Sequence, residues 1–187
     1  SQIPTNRQWN YTIGGSWRHF RDNAYRTFVV SRNYLNNSAQ KYVDNDDSNE
    51  ANKLLDYQST EAENKLRIEE TVRKDDWKIN YGAGIEWAEY TTTTFQKLEN
   101  EVTLNYSSEI GVFKYGAFGQ VSKGVLSERL QLSLGARMDA NNFNAHMANP
   151  LNQFSPRLSA SYSLSQKMAI NFNTGIYYQL PPYTTLG

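Results

Sequence analysis

The chain has 187 residues, 19 Lys+Arg against 19 Asp+Glu, two histidines and no cysteine. A net charge of zero offers nucleic acid no basic field, the lack of cysteine excludes disulfides and thiolate metal sites, and no run of roughly 18 apolar residues exists to form a transmembrane helix. A mean hydropathy of -0.72 matches soluble proteins, but it suits a membrane β-barrel as well, because only alternate residues of each strand meet lipid there. Thirteen Tyr, eight Phe and four Trp favour strands and the membrane–water boundary. Ser1–Gln8 lacks a basic segment followed by an apolar one, so it does not read as a signal peptide.

In chain order, alternation of apolar and polar residues predicts eight strands. Trp9–His19 sets Trp9, Tyr11, Ile13 and Trp17 against Asn10, Thr12, Ser16 and Arg18. A short turn, Arg21–Ala24, leads into a less regular strand, Tyr25–Tyr34. Leu35–Gln58 then reads as a long polar loop. Within it, Asn49–Tyr57 stays open between helix and strand, since NEANKLL suits helix propensity; strand is expected from about Ser59 onward. Asn64–Arg73 alternates Leu66, Ile68 and Val72 with Lys65, Arg67, Glu69 and Thr71. Lys74–Asp76 turns tightly into Trp77–Trp87, where Trp77, Ile79, Tyr81, Ala83, Ile85 and Trp87 oppose Lys78, Asn80, Gly82, Gly84 and Glu86.

Thr91–Val112 is the second predicted long loop. Phe113–Lys123 follows, with Tyr115, Ala117 and Val121 on one side and Gly116, Phe118 and Gln120 on the other; Phe118 breaks the rule. Ser127–Arg129 turns into the clearest strand, Leu130–Asp139, with Leu130, Leu132, Leu134, Ala136 and Met138 opposite Gln131, Ser133, Gly135, Arg137 and Asp139. A third long loop, Ala140–Gln153, precedes Arg157–Leu164, the turn Ser165–Lys167 and the strand Met168–Tyr178. Pro156 starts one strand and Pro181–Pro182 end another, as a residue without a ladder donor should.

The connections alternate between short turns and long loops, as they do between the two sides of an outer-membrane barrel. The expected fold is therefore all-β: an antiparallel up-and-down meander of about eight strands, part of a large transmembrane β-barrel. On that reading the long loops and both chain ends lie on the extracellular side. Charge tolerates a wet interior but costs ~2–4 kcal/mol for Arg or Lys facing mid-bilayer lipid. The predicted lumen face therefore carries Lys65, Arg67, Glu69, Lys78, Glu86, Arg137, Asp139 and Arg157, with pairing across strands expected before substrate contact.

Two segments carry a family likeness. KYGAFGQVSKGVLSERLQLSLGARMD (Lys114–Asp139) resembles the TonB-dependent receptor hairpin whose second strand ends Gly-x-Arg-x-Asp. FSPRLSASYSLSQKMAINFNTGIYYQLPPY (Phe154–Tyr183) is similar to the next hairpin of that family, opening with Ser-Pro-Arg-Leu and leaving through an aromatic-Pro step. The resemblance implies an energy-coupled importer with a plug inside a 22-stranded barrel, taking up a ferric siderophore, haem, cobalamin or an oligosaccharide. Its implied partners are outer-membrane lipid, the plug and, through it, TonB, with no nucleic acid. No plug, TonB-interaction segment or closing aromatic strand is visible, so residues 1–187 read as a middle portion of the barrel that transports nothing alone.

No catalytic constellation, cofactor site or metal site is expected, and the ligand-binding residues stay unassigned. His19, near a turn, and His146, in a long loop, lack HExxH or Ser-His-Asp spacing. Asp44, Asp46, Asp47 and Glu50 cluster, and Asp44/Asp46/Ser48 have alternate spacing. Asn49 and Leu55, however, stand where a calcium loop needs its glycine and bidentate glutamate. Tyr42, Tyr57, Tyr90, Phe95, Tyr106, Phe143, Tyr178 and Tyr183 are expected in loops or at loop bases, where girdle or packing roles outweigh stacking on a ligand. Two other architectures fit less well: a soluble β-sandwich binding carbohydrate, and a complete small eight-stranded barrel.

Overall fold

The computed structural model describes residues 3–98 and 102–179. They form one eight-stranded antiparallel sheet in the order β1-β2-β3-β4-β5-β6-β7-β8. The strands are β1 (Thr5–Arg21), β2 (Ala24–Tyr42), β3 (Lys53–Lys74), β4 (Trp77–Lys97), β5 (Thr103–Val125), β6 (Leu130–Asn141), β7 (Phe154–Ser165) and β8 (Met168–Gly175). The described residues form no second layer, so they do not make a sandwich. β1 and β8 do not pair with each other, so this sheet is not a closed small barrel.

Residues 22–23, 75–76, 126–129 and 166–167 make the tight turns, all at one end; residues 43–52 and 142–153 connect strands at the other, where Leu98 N–H also donates to Val102 O as β4 ends and β5 begins. The alternation of short and long links is as expected, but two of the long loops are corrected. Most of Leu35–Gln58 and Thr91–Val112 is strand: Ala39 pairs with Tyr57, and Thr93 pairs with Gln58 and Ser107. Of the open segment Asn49–Tyr57, residues Glu50–Asn52 form a 3-10 turn and β3 begins at Lys53, earlier than expected. The apolar/polar rhythm fades in these stretches because both faces are polar, while the backbone ladder continues regardless. At the other extreme β8 stops at Gly175, short of Tyr178. Ile176 N–H still donates to Pro156 O at 3.1 Å, but Pro156 has no N–H to return the bond, and the ladder ends. Pro181, Pro182 and Tyr183 lie outside the described residues.

Opposed residues in an antiparallel ladder share a face, so the register sorts every side chain. Ile79, Val121, Leu134 and Leu158 form one row; Lys65, Glu86, Lys114 and Asn141 form another on the reverse side. The apolar face is the exposed one: Leu134 is 60% and Ile170 59% accessible. The polar face holds most of the least accessible residues, including Thr27, Thr71, Tyr90, Val112 and Ser155. A soluble sheet would show the opposite arrangement. The inversion arises because the sheet curls toward its polar side, enclosing a concavity of about 760 Å³ that runs from Glu61 in β3 to Arg157 in β7 and Tyr178 beyond β8.

The apolar face is banded. On β4, Trp77 near the turn and Trp87 ten residues on are about 33 Å apart along the strand. At a strand tilt of ~45° that is about 24 Å of height, matching an apolar belt of ~25 Å between aromatic girdles. Trp87 tilts against Phe113, which tilts against Tyr115, and Trp9, Tyr11 and Tyr34 cluster beside β1.

Candidate functional site: a charged concave face

The strand ladder brings all eight sequence-predicted lumen residues onto the concave side. Lys65 faces Glu86 and Glu86 faces Lys114 across successive strands. Their ammonium and carboxylate groups form a chain: Lys65 Nζ lies 2.7 Å from Glu63 Oε2 and 3.4 Å from Glu86 Oε2, and Lys114 Nζ lies 2.6 Å from Glu86 Oε1. Asn33 Nδ2 adds a long bond of 3.5 Å to Glu63. Arg67 approaches Glu69 at 3.7 Å on its own strand. Glu86 is bracketed by Lys65 and Lys114, so the row presents alternating charge rather than a field of one sign.

The Arg-x-Asp end of the Gly-x-Arg-x-Asp run acquires a physical reason here. Arg137 and Asp139 are two residues apart on one strand and thus on one face. Arg137 donates to both carboxylate oxygens, Nε at 2.6 Å and Nη2 at 2.7 Å. Gly116 is opposite Asp139, and a Cβ there would collide with the Asp139 carboxylate. The glycine is the space into which the acid folds. Phe118 is explained in the same way: it points inward, and its ring covers Gly82, its ladder partner. Arg157, at the far side of the concavity, stacks over Tyr177 at 4.8 Å.

Expectations about other residues meet varied outcomes. Tyr57, Tyr90, Phe95 and Tyr106 sit within strands rather than in loops, and Tyr42 ends β2; Phe143 is in the 142–153 loop. Tyr90 is 3% exposed on the concave face, its hydroxyl beside Tyr57 and Thr92. Tyr178 lines the concavity. His19 lies on the outer face, its ring tilted against Trp17 at 5.8 Å, and His146 is in the loop after β6, where its carbonyl accepts from Asn152. The two are not brought together.

The acidic cluster does not converge either. Asp46 accepts from Ser48 N–H at 3.1 Å and from Asn52 Nδ2 at 3.1 Å, bonds that hold its carboxyl below the usual range, Ser48 contributing most. Glu50 pairs with Lys53 at 2.6 Å. Among the described residues no three His, Cys, Asp or Glu side chains gather as metal ligands.

Some polar positions escaped the sequence reading. Glu63 and Lys114 share ladder parity with Lys65 and Glu86, and carrying that parity across strands would have found them. On the outer face, Arg32 donates to Tyr11 Oη at 3.0 Å and to Asn64 Oδ1 at 2.7 Å, while Glu70 holds Arg21 and Arg26. Glu70 interrupts the series Leu66, Ile68, Val72, and that interruption was the available signal.

A single curved layer of antiparallel strands, greasy and aromatic outside and charged within, is the wall of an outer-membrane β-barrel. Residues 2–187 match the family model described as "TonB dependent receptor-like, beta-barrel", and the chain belongs to that family, whose members are transport receptors of the bacterial outer membrane. Among solved structures it is similar to "Copper transporter OprC", with 17% identity, a TM-score of 0.69, and coverage of 93% of this chain and 32% of that one. It is also similar to "Structure of the FpvAI-pyocin S2 complex" (12%, 0.66, 88% and 26%) and "Structure of the RagAB peptide transporter" (10%, 0.51, 89% and 21%). The chain thus spans about a third or less of the length of these relatives. No curated protein sequence matches it.

Proposed function

We propose that residues 1–187 form a middle portion of the barrel of a receptor that imports a nutrient such as a ferric siderophore, haem, cobalamin or an oligosaccharide. The short turns face the periplasm and the longer connections the exterior. The supporting observation is the segregation of the two faces: paired charges line a concavity of about 760 Å³, while the apolar rows are exposed on the other side. Charge in that arrangement is kept from hydrocarbon and offered to a wet interior or a plug. The outer edges of β1 and β8 carry no partner among the described residues, which supports further strands on either side, since an open edge invites pairing. The partners on this reading are membrane lipid, a plug held against the charged rows, and TonB acting through that plug. The segment alone transports nothing, and we assign it no catalytic role.

The test uses the full-length protein. Purified receptor is titrated with representatives of the four nutrient classes, followed by intrinsic tryptophan fluorescence, and cells carrying it are assayed for uptake with and without functional TonB. One class should bind and enter only when TonB is present. Uptake that is indifferent to TonB would overturn the proposal.

A further inference from the structure

Charge is the exception on the apolar face: Arg32 lies partway along β2, and a tighter cluster forms at the short-turn end. Arg21 closes β1 beside the turn at residues 22–23. Arg26 and Glu70 are opposed in the β2–β3 ladder, and His19 faces Arg26 from β1. Their ladder parity places them on the side of Trp17, Phe28 and Ile68, the lipid side. Glu70, 7% exposed, receives Arg26 Nε at 2.9 Å and Nη2 at 2.6 Å on one oxygen and Arg21 Nη2 on the other. The Tyr81 hydroxyl lies beside it.

The carboxylate is saturated by these bonds, but the arginines are not. Their side chains are 49% and 42% exposed. Among the described residues Arg21 Nε and Nη1 and Arg26 Nη1 meet no acceptor. Two guanidinium groups on one carboxylate leave one net positive charge, with three guanidinium nitrogens that no acceptor among the described residues takes up. Hydrocarbon supplies no acceptor; the phosphate layer does.

We propose that Arg21 and Arg26 bind the phosphate of a phospholipid in the leaflet that meets the short-turn end, with Glu70 as the positioning residue that holds both guanidinium planes. A planar fork matches phosphate geometry, giving charge-assisted bonds that an ammonium would not reproduce. The depth suits the assignment, because an arginine beside a two-residue turn lies near the interface, where its cost falls to ~0–1 kcal/mol. On the same face and at the same end, Lys123 Nζ sits 4.7 Å from the centre of the Trp77 ring, a cation–aromatic pair suited to the headgroup level. The proposal rests on the apolar face meeting lipid, not on what passes through the interior.

The experiment is native mass spectrometry of the full-length protein with phosphatidylglycerol, with a diacylglycerol of the same acyl chains but no phosphate, and with inorganic phosphate as competitor. Phosphatidylglycerol should be retained at least tenfold over diacylglycerol, and millimolar phosphate should not displace it. R21Q/R26Q should lower retention at least tenfold, while R7Q, on the same face at the other end of β1, leaves it unchanged. Heat-shifted gel migration establishes that each variant is folded. If the double glutamine variant is not, R21K/R26K keeps the charge, loses the fork, and should lower retention at least threefold. Undiminished binding in the folded variant, equal retention of the phosphate-free lipid, or displacement by inorganic phosphate overturns the assignment. Each of these results leaves the import reading untouched.

Discussion

Strand β4 contains two regions that share one backbone and differ in everything else. From Trp77 to Trp87 its outward residues are Trp, Ile, Tyr, Ala, Ile and Trp, and its inward ones are Lys, Asn, Gly, Gly and Glu. From Glu89 to Lys97 the outward residues become Glu89, Thr91, Thr93 and Phe95, with Tyr90, Thr92 and Thr94 behind them. The ladder to β3 and β5 runs unbroken through both regions. The lower region has two solvents, lipid outside and water within, and its side chains are sorted accordingly. The upper region has water on both sides, so β-branched threonines sustain the strand with no sorting. Thr60 and Thr91 show the kind of contact that replaces burial there, a hydroxyl–hydroxyl bond of 2.6 Å across the ladder.

The sharpest test of that contrast places one substitution in each region of the same strand. Ala83→Arg, on the outward face midway between Trp77 and Trp87, should destabilise the full-length barrel by ~2–4 kcal/mol. Thr93→Arg, exposed and outward in the upper region, should stay within ~0.5 kcal/mol. Denaturant titration in lipid bilayers reads both, and equal effects would refute the two-solvent account. Next in size is Gly82→Ala on the inner face. Its Cβ would meet the Ile68 carbonyl and the Phe118 ring well inside contact distance, costing ~1–3 kcal/mol by overpacking.

Smaller effects refine the picture at the two ends. Leu126, Ser127 and Glu128 all have positive φ in the turn before β6, a region that penalises residues with a Cβ. Ser127→Gly should therefore stabilise by ~1 kcal/mol, seen as a higher denaturation midpoint. On the wet inner face, Glu86→Ala removes the carboxylate between Lys65 and Lys114. The three side chains keep 20–40% of their surface accessible, so the pairs stay partly solvated; the loss should be ~0.5–1 kcal/mol and should shrink as salt is added. A salt-independent loss would mean that this face is drier than its composition implies.

Legibility in the sequence follows the same division. Leu130–Asp139 and Trp77–Trp87 were readable because one residue in two must tolerate lipid, and that requirement writes a period of two into the chain. Residues 35–42 and 103–112 were misread as loop because nothing in their surroundings imposes a period. The charged face was legible one strand at a time: Lys65, Glu86 and Arg137 could be named, but the chain from Glu63 to Lys114 could not. Linking strands needs the register, and register depends on where each turn closes.

Alternation, tight turns and the placement of proline were thus enough, with no tertiary information, to specify strands, their number and the side that avoids water. Which carboxylate meets which cation, how far the hairpins rise beyond the aromatic girdles, and why Glu70 is tolerated among Leu66, Ile68 and Val72 were decided only by the folded sheet. The reason is geometric. A strand's pattern records its solvent locally, whereas a pair such as Arg26–Glu70 exists only after residues 44 positions apart are set opposite one another by the pairing of β2 with β3.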